Sequence, residues 1–207
     1  MAFDWIAGTA LAVGIGSLAL TWKSTKSAKR AIDTSIELYE KQKQDAAHAE
    51  EISKKKQLQS LCYLIQNELT SNVIKMSKLV VFFKFVWDGK LVSFNYNNLG
   101  SEPIVSYKIK SGHKDAFTFT KHASQIIDKY LFEVSKLDNI LIGDLLKLRL
   151  TIEYYNDQLA GLMLLISTEP RTNDLIGYID GLKDFITEYQ RQSMGVLEYC
   201  TKKSLGI

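Results

Sequence analysis

Proline is nearly missing from this chain, with Pro103 and Pro170 the only two in 207 residues. A proline inside a helix costs about 3 kcal/mol, so its scarcity removes the usual internal stop and leaves room for very long helices. Cysteine is equally scarce. Cys62 and Cys200 show no metal-ligand spacing and fall among helical, partly apolar residues, which fits buried thiols in a reducing cytosol. Histidine is limited to His48, His113 and His122. None has ligand-spaced neighbours other than Asp115 beside His113, so all three read as surface histidines. A glycine-rich phosphate loop, a nucleophile elbow and a paired-carboxylate motif are all lacking, so the chain reads as a non-enzyme with no cofactor. Net charge is only +3, too little to imply nucleic-acid binding by itself, and a hydrophobic fraction of 46% excludes a multi-span transporter.

One long apolar run is present. From Phe3 to Trp22 the only charge is Asp4. About 20 helical residues cover roughly 30 Å, the thickness of a bilayer's hydrocarbon core. Trp5 and Trp22 bracket the run as interfacial aromatics do. The first four residues carry no Lys or Arg, so a secretory leader is disfavoured. Lys23, Lys26, Lys29 and Arg30 follow instead, which places the remainder of the chain in the cytoplasm by the positive-inside rule. Gly8, Ala12 and Gly16 form a small-residue stripe of the kind that lets helices approach closely in lipid, and they are the expected oligomerisation residues.

Beyond the span, residues 23–56 are charged, rich in Ala, Gln, Lys and Glu, and free of Gly and Pro. They read as a helical stalk, with a short apolar stripe at Ala28, Ile32, Ile36 and Tyr39. Residues 57–207 read as a cytoplasmic bundle of about four helices. Leu61, Ile65, Leu69, Met76, Val80, Phe83 and Trp87 keep helical spacing, except for a gap between Leu69 and Met76 that Val73 can fill. A clearer run goes from Leu137 through Leu148 and Tyr155 to Ile166, and a third from Leu175 through Tyr189 to Cys200. Thr168-Glu169-Pro170 separates those two, so they should form an antiparallel hairpin. A shorter helix from Lys121 to Tyr130 turns Ile126, Ile127 and Tyr130 inward. Asp138, Asp144 and Glu153 fall on its successor's solvated side. The class is therefore all-α with a small insertion.

That insertion spans about residues 88–120. Val92, Phe94 and Tyr96 alternate with polar residues, as do Val105, Tyr107 and Ile109, which suggests a β-hairpin or an irregular excursion. Lys108, Lys110, His113, Lys114 and Lys121 are interleaved with Tyr107, Phe117 and Phe119, beside Lys90, His122 and further aromatics. Such a patch suits a partner protein, anionic lipid or, with exposed aromatics, single-stranded nucleic acid. Alternation predicts that half of these side chains are buried, so nucleic acid is the least expected partner.

The order of short Gly/Ala-rich span, basic flank, polar stalk and helical bundle resembles small single-span membrane proteins associated with bacterial anti-phage systems. It is similar in particular to the membrane effector of type VI CRISPR systems. That resemblance implies a HEPN-like bundle, a bacterial inner-membrane location, homo-oligomers and a pore. HEPN ribonucleases carry an Arg followed a few residues later by a His. Arg171 begins Arg171-Thr172-Asn173-Asp174-Leu175-Ile176 with no His, and Arg149 and Arg191 have none either.

Three functions follow. The first is an oligomeric effector that perturbs membrane integrity or potential, plausibly in anti-phage defence. The second is a membrane-tethered scaffold or receptor for a cytoplasmic partner. The third is a degenerate membrane-bound RNA-binding or nuclease-like protein.

Overall fold

The computed structural model describes residues 3–97, 104–168 and 172–205. Within them lie five helices and one small sheet, in the order α1 (Phe3–Trp87), β1 (Leu91–Asn97), β2 (Ile104–Ile109), β3 (Lys114–Thr118), α2 (Gln125–Leu137), α3 (Asn139–Ser167), α4 (Thr172–Gly181) and α5 (Lys183–Leu205). The chain divides into two compact units, Met1–Ser53 and Lys54–Ile207, with the division falling inside α1.

Helix α1 is 85 residues long. Neither Gly nor Pro occurs between Gly16 and Gly89, so nothing in the sequence interrupts its hydrogen-bond ladder. The segments expected as anchor, stalk and first bundle helix are thus one uninterrupted element. Its end is well defined. Gly89 takes a left-handed φ of 61°, its amide donates to the Val86 carbonyl, and the Lys90 amide donates to the Phe85 carbonyl. This is a complete Schellman cap, a geometry that glycine adopts without strain.

In the first unit every described side chain is exposed. Leu11, Val13, Ile15, Leu18, Leu20 and Trp22 are each 61–72% exposed. Among the described residues no helix is long and apolar enough to cross a membrane. The expected anchor, Phe3–Trp22, is therefore unsupported as a complete span. The side chains of its first five residues lie outside those described, and the part from Gly8 to Trp22 would reach only roughly 22 Å.

The second unit has one core. All eight buried residues of α3 lie on a single stripe, from Leu141 through Leu148 and Tyr155 to Ile166. Helix α2 packs on α3, α3 on α5, and α4 on both. The expected third run is split into α4 and α5 by a turn at Leu182, after Gly181. The breaker at residues 169–170 lies outside the described residues. Gly161 on α3 makes room for α4, because a Cβ there would sit 2.6 Å from the Tyr178 hydroxyl and force that ring to shift.

The insertion is a three-stranded antiparallel sheet, ordered β1-β2-β3, rather than a hairpin. The residues 98–103 that link β1 to β2 lie outside those described. Its inner face packs on the end of α1. Phe82 lies 5.3 Å from Tyr107 and 5.0 Å from Phe117, ring centre to ring centre, and Phe117 lies 5.0 Å from Phe119.

The contrast between the two faces of α3 can be tested. Leu148 is fully buried, whereas Leu150 is 62% exposed. Urea unfolding of the full chain should show L148A losing about 2–5 kcal/mol and L150A shifting by less than about 0.5 kcal/mol.

Candidate functional site: a clamped histidine and an uncovered basic sheet face

Between β3 and α2 the chain runs without regular secondary structure through residues 121–124, and two asparagines hold it there. Asn72 of α1 donates to the Ala123 carbonyl at 2.7 Å and accepts the Ala123 amide at 3.0 Å. Asn156 of α3 does the same for the neighbouring residue, accepting the His122 amide at 2.8 Å and donating to its carbonyl at 3.0 Å. Each amide side chain thus stands in for a strand neighbour and satisfies backbone groups that burial would otherwise leave unpaired. The following helix is capped from outside itself. Ser124 makes no side-chain cap bond to the backbone, and the Glu68 carboxylate of α1 accepts the Ile126 amide at 2.9 Å. A carboxylate at a helix N-terminus is favoured by the dipole as well as by the hydrogen bond.

This clamp carries His122 into the core. Its ring is 3% exposed, stacks on Tyr155 at 4.1 Å, and shares a 2.6 Å hydrogen bond between Nδ1 and the Tyr189 hydroxyl. Nε2 is buried and has no hydrogen-bond partner among the described residues. Burial, assisted by the nearby Lys75 charge, pushes the imidazole pKa down to about 3, so the ring is neutral. Burial likewise drives the Tyr155 and Tyr189 phenols well above their ordinary range. These are groups locked in one protonation state, with an aromatic and amide frame around them. His122 is therefore not the surface residue expected from its spacing. His48 and His113 are exposed, and among the described residues no group of His, Cys, Asp or Glu could hold a metal ion.

Asp138 corrects a second expectation. It is the N-cap of α3, accepting from the amides of Ile140 and Leu141, and it also accepts from Tyr199 at 2.6 Å. Burial pushes its carboxyl up. The bonds from Leu141, Tyr199 and Ile140 outweigh that and hold it below the usual value. Nearby, Cys62 and Cys200 are free and fully buried.

The basic patch is sorted by strand register. Lys108, Lys110, His113, Lys114 and Lys121 are all exposed. Tyr107, Phe117 and Phe119 are each only 5% exposed, so these three rings offer no stacking platform to a base. Lys108 lies directly opposite Lys114 on β3 and Ser93 on β1, and the next row is Asn95, Ser106 and Ala116. Those six residues form an outer sheet face without a carboxylate. Asp115 points to the other face, where it accepts from Tyr107. Gly8, Ala12 and Gly16 belong to the exposed part of α1, and a Cβ at Gly8 or Gly16 would meet nothing within 4 Å.

Sequence reasoning missed Asn72, Asn156, Glu68 and the burial of His122. One signal was available. The gap in apolar spacing between Leu69 and Met76 is the position of Asn72, which is 1% exposed. A polar residue on a buried stripe marks a hydrogen bond to be accounted for.

Two measurements follow. The His122 pKa is depressed from an unfolded value of 6.5, so its contribution is complete above about pH 6.5 and is lost as pH falls toward 3. The unfolding free energy from urea titration should decline over that window by an amount on the order of 4 kcal/mol, and H122Q should flatten the slope. Like charges directly opposite on a sheet are destabilising, so K114E, which faces Lys108, should raise stability by about 0.2–1 kcal/mol. A loss of stability would show that the two lysines do not share a face. This arrangement stands without a relative to interpret it: no protein-family model matches the chain, and comparison with curated proteins and with solved structures found no match.

Proposed function

We propose that this is a membrane-anchored helical protein that acts by assembling copies of itself, as an effector that perturbs the membrane. The observation that carries the reading is the exposure of the first unit. Six large apolar side chains between Leu11 and Trp22 are each 61–72% exposed, a density that water penalises and lipid does not. With Phe3 to Ala7 added, the run reaches the length of a bilayer core. The stripe of Gly8, Ala12 and Gly16 supports close helix contact in lipid. Ile32, Ile36 and Tyr39, 51–67% exposed, support continued contact along the stalk. The sequence's resemblance to anti-phage membrane effectors points the same way.

A second reading, a tethered scaffold, is favoured by the outer sheet face. Its opposed lysines and absent carboxylates suit an acidic protein partner in the cytoplasm. The nucleic-acid reading loses three of its stacking candidates, since Tyr107, Phe117 and Phe119 are buried.

Light scattering on the detergent-solubilised protein tests the first reading. An assembly of several copies is expected, and the combined G8L, A12L and G16L variant should fall to a smaller species. A wild-type monomer or dimer would transfer the case to the scaffold, and an undiminished complex in the triple variant would remove the stripe from the mechanism.

A further inference from the structure

Because α1 is helical without a break from Phe3 to Trp87, the angular positions of its side chains after the apolar run are fixed. At about 100° per residue, Trp22, Lys23, Lys26, Lys29 and Arg30 fall within an arc of roughly 120°. All five are exposed. The Lys26 ammonium stands 5.1 Å from the centre of the Trp22 ring, a cation–π contact that keeps the charge at the level of the tryptophan. Ala28, Ile32 and Tyr39 lie on the opposite side. Asp33, Glu37 and Glu40 then occupy the same arc as the cations, so the sign of the face reverses within a turn of Arg30. The cations therefore make a narrow collar, about 12 Å deep from Trp22 to Arg30 at 1.5 Å per residue, with a carboxylate boundary behind it.

We propose that this collar is a binding site for anionic lipid headgroups, selecting them over zwitterionic ones. The inference rests on the membrane reading above and adds lipid selectivity to it. Tryptophan is at home at the headgroup level. A basic residue next to an anionic leaflet gains about 1 kcal/mol, a roughly fivefold preference each before screening. The carboxylates beyond Arg30 limit how far the helix can sink. Ile32 and Tyr39 lie outside the basic arc, with Ile36 at its edge, so lipid contact leaves Ile32 and Tyr39 free for a second copy.

The test uses the full chain with W5F and W87F, which leaves Trp22 as the sole tryptophan. The protein is reconstituted into phosphatidylcholine vesicles containing an equal fraction of brominated phosphatidylglycerol or brominated phosphatidylcholine. Quenching of Trp22 by the anionic lipid should exceed quenching by the zwitterionic one severalfold. The excess should vanish with K23Q, K26Q, K29Q and R30Q combined, and survive K54Q, K55Q and K56Q as the control. Equal quenching by the two lipids would overturn the inference and leave the membrane reading intact. No quenching by either would overturn the membrane reading and the collar with it.

Discussion

Two asparagine side chains facing each other across one peptide segment hold the second unit in register. Asn72 fixes Ala123 to α1 and Asn156 fixes His122 to α3. Once those four hydrogen bonds are made, the sheet before the peptide and α2 after it have little choice of position. Glu68, one turn before Asn72, receives the first amides of α2. His122 enters the core between Tyr155 and Tyr189, linking α3 to α5. An aliphatic contact at Asn72 would contribute comparable burial but could not specify which backbone atoms it meets. Directional bonds in a low-dielectric interior do specify that, and leaving one unmade costs more than making it gains.

The first unit has no such device. Its part of α1 holds its shape through helix propensity, while the hydroxyls of Ser17, Thr21 and Thr25 bond back to carbonyls one turn earlier without adding to helix stability. None of its described residues is buried, so propensity sustains the helix, a marginal situation in water unless lipid or other copies cover its apolar side chains. The contrast is one of solvent. The second unit pairs most of its buried polar groups internally, with His122 Nε2 and Trp87 Nε1 the exceptions among the described residues, and the first leaves its apolar groups for an environment to satisfy.

Legibility from sequence followed periodicity. The apolar run of α3 could be read nearly residue for residue, because a 3.6-residue repeat sustained over 29 residues has few alternatives. The continuity of α1 was implicit in the absence of Gly and Pro, although changes in composition suggested three segments. Strand β3 was not legible. In Lys114–Thr118 only Phe117 is buried, so no alternation announces it. The burial of His122 depends on partners 34 and 67 residues away, which leave no local trace. The lysines could be recognised as a cluster, but only strand register decides that Lys108 faces Lys114 while Tyr107 and Phe117 turn inward.

That register has a consequence for how copies of the protein can meet. The sheet has three strands, among the described residues neither β1 nor β3 pairs with a further strand, and an open edge is a template on which another chain can continue the ladder. Here the edge strand β3 begins with Lys114, beside Lys108 of its neighbour. A second sheet adding edge to edge in the same register would extend a row of positive charge, while one stacking face to face would set lysine against lysine. The sheet thus guards its own boundary, and growth by strand addition is discouraged.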